Sequence, residues 1–320
     1  MRAFTDTELL FELEPVVAGE LDRHLTVAKE WFPHEYVPWS QGRDFDGVLG
    51  GEAWAETDSA IPEEARVSLI VNLLTEDNLP SYHHEIATTF GRDAAWGTWV
   101  HRWTAEEGRH GTAIRDYLTV TRAVDPVALE RARMVHMGEG FINSYEGVLH
   151  SLAYVSFQEL ATRVSHRNTG KVSQDPNCER LLARIAADEN LHMLFYRNLL
   201  DAAFRLAPSQ TMRAVTDVVT TFQMPGTGIE GFTRKAMTIA NAGIYDLRLH
   251  LDDVLMPVLR QWAVFDLTGL DAEADKARDE LAGFLARLEV SASRFVDRRE
   301  ARRARTTDAP ANQPSGSLTT

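Results

Sequence analysis

Between about residues 64 and 303 the apolar positions recur every three to four residues, the period of an amphipathic helix, and no run alternates with the period of two that marks a half-buried strand. The pattern predicts helices over about 64–90, 94–121, 126–136, 143–168, 178–206, 209–223, 229–242, 247–263 and 272–303. Turn signals separate them: Gly91-Arg-Asp93, Asp125-Pro126, Asn168-Thr-Gly170 with Asp175-Pro176, Ala207-Pro208 and Met224-Pro-Gly226. Residues 1–30 read as a further helix, with Leu9, Leu10, Leu13, Val16 and Val17 at helical spacing. Residues 31–62 differ. Pro33, Pro38, Gly42, Gly47, Gly50, Gly51 and Pro62 interrupt any period, and the stretch carries Trp31, Trp39 and Trp54, which suggests a long irregular segment packed onto a scaffold. Its glycines do not form a phosphate loop, lacking both the Gly-x-Gly-x-x-Gly order and a Lys-Ser/Thr ending. The expectation is an all-α protein with one domain over 1–305 and a disordered tail over 306–320, where hydrophobic residues are scarce.

Composition narrows the class. A chain of 320 residues, 44% of them hydrophobic, can bury a sizeable core. No apolar run approaches the roughly 18 residues of a membrane span, and the N-terminus lacks the pattern of a signal peptide. Cys178 is the only cysteine, so no intrachain disulfide forms, and a reducing cytoplasm is the expected location. A net charge of −14 disfavours nucleic acid as a partner. Against that acidity, the segment from Arg298 to Arg305 is strongly basic: a solvated helix end, or a patch that meets an acidic partner.

Two short stretches nearly repeat each other, Glu107-Gly-Arg-His110 and Glu189-Asn-Leu-His192, each preceded by an acid, Glu106 and Asp188. Residues three apart share one helix face, so each pair can present a carboxylate and an imidazole to one ion. Glu76 lies 31 residues before Glu107, and Glu159 lies 30 before Glu189. Thirty residues is about one long helix, a turn and a return to the same level. Each half is therefore expected to be an antiparallel helix pair, and two such pairs make a ferritin-like four-helix bundle around a di-metal carboxylate site. The predicted ligands are Glu76, Glu107, His110, Glu159, Glu189 and His192. Glu76 and Glu159 follow apolar stretches, where an unpaired carboxylate is costly. Four carboxylates and two imidazoles suit iron, with manganese the alternative. Glu106 and Asp188 are candidates to hold the imidazole of the opposite half. Thr162, three residues after Glu159, can stand beside the metals as a hydroxyl donor; His83 shares the face of Glu76 but lies two turns away.

The words around these residues carry a resemblance: Leu74-Thr-Glu-Asp-Asn-Leu-Pro-Ser-Tyr82, Trp103-Thr-Ala-Glu-Glu-Gly-Arg-His-Gly111, Tyr154-Val-Ser-Phe-Gln-Glu-Leu-Ala-Thr162 with Ser165-His-Arg-Asn-Thr169, Ile185-Ala-Ala-Asp-Glu-Asn-Leu-His192, and more weakly Trp31-Phe-Pro-His-Glu-Tyr-Val-Pro38. The chain resembles the soluble acyl-acyl-carrier-protein desaturases, the actinobacterial branch more than the plant stearoyl enzymes. The resemblance implies a homodimer with two iron ions per subunit on the six ligands above. It implies Thr162 beside the oxygen-binding position and an electron route from ferredoxin through Trp31 and Asp188 to His110. The implied reaction inserts a cis double bond into a saturated chain carried on acyl carrier protein, at the expense of dioxygen. A di-iron hydroxylase acting on a carrier-bound chain, or a non-catalytic ferritin-like metal protein, would show the same ligand pattern. Two departures stand out. Leu191 replaces the arginine of the plant pattern, and Thr220-Thr-Phe-Gln223 replaces the basic residues before the Met-Pro turn. Carrier docking would then use other cations, such as Arg234-Lys235 or the run from Arg298.

Overall fold

The computed structural model describes residues 3–142 and 144–307 of the chain. Among these the protein is helical, and the nearest approach to a strand is an isolated bridge between Phe45 and Glu52. Helix α1 spans Asp6–Val27, α2 Glu63–Asp77, α3 Leu79–Phe90, α4 Ala94–Val120, α5 Pro126–Glu139, α6 Val148–Val172, α7 Pro176–Leu206, α8 Pro208–Thr221 and α9 Phe232–Ala242. A short α10, Leu247–Leu249, passes through a π turn at His250–Leu255 into α11, Met256–Gln261, and α12 spans Ala272–Thr307. The four-helix core is α2, α4, α6 and α7; α1 packs on α4 and α7, α8 lies between α6 and α12, and α9 lies on α2.

The expected helix over 64–90 is two helices broken at Asn78. Pro80 explains the break. It has no N–H to donate, and in a continuous helix its ring would clash with the carbonyl four residues back, that of Glu76. The expected simple hairpin of the first half is therefore interrupted by α3, whereas the second half, α6 and α7, is a direct antiparallel pair joined at Ser173–Asp175. The helix α5 runs further than the pattern indicated, to Glu139. The helix expected over 143–168 runs instead over Val148–Val172. Helix α12 continues through Thr307, so the first residues of the expected tail are helical, and the rest of it, from 308, lies outside the described residues.

The helix starts follow local chemistry. Thr5 and Glu8 form a reciprocal capping box on α1, and Asp125, Asp175 and Asp246 accept backbone N–H groups at the starts of α5, α7 and α10. Helix α1 buries Leu9, Leu13, Val17, Leu21 and His24, a stripe that continues to the level of the bundle's polar centre. The main core is aromatic: Trp99 stacks on Phe195 at 3.5 Å and donates its Nε1–H to the Tyr196 hydroxyl at 3.0 Å. Phe157 is fully buried and meets Trp262 edge-on at 5.6 Å. Phe157→Ala removes this packing and is expected to cost about 3–5 kcal/mol. Chemical denaturation of the metal-free protein measures it, and a loss under about 1 kcal/mol would mean the site collapses or was never tightly packed.

The segment between α1 and α2 contains only three short 3-10 turns, Pro33–Glu35, Trp39–Gln41 and Glu56–Asp58. It is held by tertiary contacts. Arg122 reaches Asp58 and the carbonyls of Glu52 and Ala53, while Trp54 donates to the Arg122 carbonyl. Its tryptophans part ways: Trp31 is buried and Trp39 is exposed.

Candidate metal centre

Glu76 stands in the last turn of α2, Glu107 and His110 in the middle of α4, Glu159 in the middle of α6, and Glu189 and His192 in the middle of α7. The structure brings all six together, and none is more than 8% exposed. They divide into two overlapping groups. Glu76, Glu107, His110 and Glu189 each offer a ligand atom within 4.8 Å of the others, and so do Glu107, Glu159, Glu189 and His192. Glu107 and Glu189 belong to both groups. Each half thus contributes one carboxylate confined to one group and one shared between them, and one imidazole serves each group. The close approach of α2 to α4 at this level depends on Gly111, where an added Cβ would come within 3.3 Å of the Glu76 Cβ.

The two imidazoles are held in the same sense. His110 and His192 turn Nδ1 inward and Nε2 outward. His192 Nδ1 lies 2.8 Å from Glu107 and 3.6 Å from Glu159; His110 Nδ1 lies 3.3 Å from Glu107 and 3.4 Å from Glu189. The outward nitrogens cross the bundle to the acid of the opposite half: His192 Nε2 reaches Glu106 at 2.8 Å, and His110 Nε2 reaches Asp188 at 3.4 Å. An outward acid of this kind fixes tautomer and ring orientation and raises the basicity of the inward nitrogen.

Charge is concentrated here, and the groups respond. Burial pushes the carboxyls of Glu76 and Glu159 well above the usual range, reinforced in both by the negative charge of Glu107 and Glu189. Burial would also raise Glu107, but the imidazoles of His110 and His192 outweigh it and hold Glu107 low. His110 and His192 are raised, since neighbouring carboxylates overcome their own desolvation. Several inward atoms make no well-aligned hydrogen bond: Glu159 Oε2 and Glu189 Oε1, and also Glu107 Oε1 and His192 Nδ1, which face each other at 2.8 Å. Unpaired buried polar atoms cost about 1–3 kcal/mol each, and these all point toward the centre. A pair of divalent cations would pair them and offset the four carboxylates, so the residues fit a di-metal group.

The surrounding groups lock this constellation. Thr162 donates its hydroxyl to the Glu159 carbonyl and lies 2.9 Å from Glu189 Oε2. Trp31 donates Nε1–H to Asp188 at 2.7 Å, and its ring lies parallel to that of His110 at 6.4 Å. Arg109 binds Asp188 at 3.0 Å and lies over the Trp31 ring at 4.5 Å. Asp188→Asn keeps the shape and removes the charge behind His110. By the usual magnitude for such a partner, metal affinity should fall about 10–100-fold. Chelator competition reads the change, and unaltered affinity would remove Asp188 from the account.

Three residues here were not singled out from sequence. His166, seven positions after Glu159 and hence on the same face, contacts Glu76 at 3.1 Å through Nε2 while Asn72 donates to its Nδ1. Burial keeps His166 neutral, down to about 4. Trp103 donates Nε1–H to Glu159 at 3.0 Å. His24, from α1, meets Glu106 at 3.0 Å, so one carboxylate is shared by two imidazoles and also bound by Arg102 at 2.6 Å. His24, Glu106 and His192 form the third close group of potential ligands among the described residues. By contrast, His83 bonds to Thr104 away from the centre, and Cys178 is buried in the first turn of α7, outside every such group.

On the Glu76 side the centre opens to two small cavities, and Thr75, Glu76 and Thr162 line both. One, about 50 Å³, lies under α3 and is walled by Tyr82, Ile86, Phe141 and Tyr154. The other, about 100 Å³, lies under α9 and is walled by Val71, Met224, Phe232, Ile239 and Tyr245. Their walls are mainly apolar, and both border Glu76.

Comparison with known proteins gives a consistent picture. Residues 5–311 match the family model described as fatty acid desaturase. A Mycobacterium tuberculosis protein provisionally named acyl-[acyl-carrier-protein] desaturase DesA1 is 51% identical over 299 residues, 91% of this chain and 88% of its own. The rice stearoyl-[acyl-carrier-protein] 9-desaturase 2 (Oryza sativa subsp. indica) is 31% identical, covering 93% of this chain and 78% of its own. Among solved structures, the X-ray structure provisionally assigned as the acyl-carrier-protein desaturase DesA2 of M. tuberculosis H37Rv superposes with a TM-score of 0.70 at 30% identity, over 84% of this chain and 98% of that one.

Proposed function

The chain belongs to the fatty acid desaturase family, in its actinobacterial acyl-carrier branch, and we propose that it removes two hydrogens from a saturated acyl chain on acyl carrier protein, leaving a cis double bond. The chain is an acyl-carrier-protein desaturase by its relatives; the finer reading adds two iron ions, ferredoxin as electron donor and a homodimer. The observation that carries it is the pair of ligand groups sharing Glu107 and Glu189 beside two mainly apolar cavities.

Glu76, Glu107, His110, Glu159, Glu189 and His192 would hold the irons, which when bound supply dioxygen binding and the oxidising power that an unactivated methylene demands. The chain's own residues do the rest. The apolar walls take up the acyl chain, exclude water and fix which carbons face Glu76. Thr162 places a hydroxyl against Glu189 at the edge of both cavities, where a proton can be held or passed. Trp31, Asp188 and Arg109 form a continuous polar and aromatic contact from the outer segment to the outward nitrogen of His110, the path proposed for ferredoxin's electrons. In the overall balance, two hydrogens from the chain, two electrons and two protons convert one dioxygen to two waters. Among the described residues no helix is long and apolar enough to cross a membrane, which suits a substrate delivered by a carrier.

Iron-loaded protein with reduced ferredoxin, dioxygen and a panel of saturated acyl carriers tests the proposal by mass spectrometry of the released acids. Loss of two hydrogens supports it. Gain of one oxygen assigns a hydroxylase instead, and no product at any length with iron bound rejects both. Solution mass separates a dimer from the large shell of a storage protein.

A further inference from the structure

The end of α1 reaches both outward acids of the metal centre. His24, in the last turn of α1, meets Glu106 on the His192 side, and Trp31, seven residues later, meets Asp188 on the His110 side. One short stretch thus straps the two acids that hold the two imidazoles. Glu106 Oε2 lies 2.8 Å from His192 Nε2 and 3.0 Å from His24 Nε2, and Oε1 accepts from Arg102 at 2.6 Å. With a guanidinium on its other oxygen Glu106 is a carboxylate and has no proton to give, so both imidazoles donate to it. Donation through Nε2 leaves the His192 Nδ1 lone pair free for a metal. The Arg102 side chain is 42% exposed and that of His24 only 1%, so His24 is the buried support. Its ring is fixed sideways, edge-on to Trp99 at 5.0 Å and stacked on His192 at 5.8 Å. Its Nδ1 is buried without a hydrogen bond. A purely apolar side chain would fill this place in the stripe of α1 without that cost, so the bond to Glu106 is what the histidine supplies.

We propose that His24 is a positioning residue for the metal position at Glu159 and His192: it fixes Glu106, Glu106 orients His192, and this position binds tightly only with α1 docked. The inference rests on the two-metal reading proposed above and adds α1 to that centre. The docking is specific. Trp96 donates to the Leu10 carbonyl at 3.0 Å, Glu14 accepts the Ala95 N–H at 2.7 Å, and Asn198 donates to Glu20 at 3.0 Å. These bonds hold α1 along α4 and α7 and bring His24 to the level of Glu106. The position at Glu76 and His110 has a different support. There Asp188 is held by Trp31, Arg109 and Arg184, with no second imidazole. The two positions are built alike around the ions and braced differently from outside, so loss of His24 acts on one of them.

The test uses the full chain loaded with iron, and chelator competition followed until both ions are removed, which gives an affinity for each. His24→Phe keeps a ring beside Trp99 and loses the donor. It should weaken one ion about tenfold and leave the other within about twofold. Mössbauer spectra of the same variant should show a changed environment at one iron. His24→Gln, whose amide can donate to Glu106, should restore most of the lost affinity. In a Glu106→Gln background His24→Phe should have little further effect, because the two residues act as one unit. Leu13→Ala removes buried packing from the same helix about three turns away; it should lower the unfolding temperature and keep both ions. Equal weakening of both ions by His24→Phe, no weakening, no rescue by glutamine, or the same loss in Leu13→Ala overturns the positioning role. An unmodified protein that binds no pair of ions overturns the two-metal reading, and the role with it. Two bound ions with no alkene product overturn the desaturase reading alone, and the affinities still decide the role of His24.

Discussion

Glu189→Gln should empty both metal positions at once, while Glu76→Gln should empty one. Glu107 and Glu189 are the carboxylates common to both ligand groups; Glu76 and Glu159 each belong to one. Removing the charge of a shared ligand deprives two cations of a donor and leaves the site short of neutralising charge. Removing a terminal ligand leaves the other group with its imidazole and three carboxylates. The expected iron content is therefore about two per chain in the unmodified protein, about one in Glu76→Gln or Glu159→Gln, and near zero in Glu189→Gln or Glu107→Gln. Turnover should fall at least about a hundredfold in all four, beyond what loss of an outer partner causes. Stability moves the other way. In the metal-free protein Glu189 is one of the negative charges that oppose ionisation of Glu76 and Glu159, so metal-free Glu189→Gln should unfold no more easily than its parent. Low iron with unchanged metal-free stability distinguishes a lost ligand from a misfolded bundle. Iron retained in Glu189→Gln would remove the shared-ligand arrangement.

Metal loading should be steeply pH-dependent, weakening as the solution is acidified. Glu76 and Glu159 are raised by burial and by neighbouring negative charge, and His110 and His192 are raised against their own burial by the carboxylates around them. All four therefore keep protons to higher pH than they would in an unfolded chain, and each must give its proton up to ligate a cation. With between about two and four protons released on loading, apparent affinity should change about a hundredfold to ten-thousandfold per pH unit where these groups titrate. The stability of the metal-free protein has the opposite trend. A group whose folded value is raised contributes stability that is complete below its unfolded value, about 4.3 for glutamate and 6.5 for histidine, and lost as pH rises through the folded one. Glu107, held low, works the other way, but its window lies below the ordinary glutamate value. Above about pH 6.5 the metal-free bundle should thus lose stability as pH rises, while the loaded form, whose ligands carry no protons, should hold its stability nearly constant. The gap between the two unfolding temperatures should widen with pH, and a gap that narrows would contradict the charge arrangement.

What the sequence made legible follows from where the determining interactions lie. The six central residues could be read because a ligand pair three apart and a return after about thirty residues are properties of helices themselves. Glu106 and Asp188 could be read because each adjoins a ligand, although their partners, His192 and His110, became definite only when α4 and α7 faced each other. His166 left a signal that was available, its seven-residue spacing from Glu159. His24 left none: it ends an ordinary apolar stripe on α1, and only the docking of that helix against α4 and α7 gives it Glu106. The break at Asn78 leaves no mark on the apolar period, which continues through it, and the decisive feature is the single ring of Pro80 against the preceding turn. The segment from 31 to 62 has no period to read. Its shape is set by Arg122, Trp54 and the anchoring of Trp31 on Asp188, contacts with residues far away in the chain.

The central claim is that two metal ions share Glu107 and Glu189. Diffraction from iron-loaded crystals, with data on either side of the iron absorption edge, tests it most directly. The account predicts two anomalous peaks per chain: one between Glu76 and His110, one between Glu159 and His192, with both shared glutamates in reach of each. A single peak, or a peak seated instead among His24, Glu106 and His192, would contradict it.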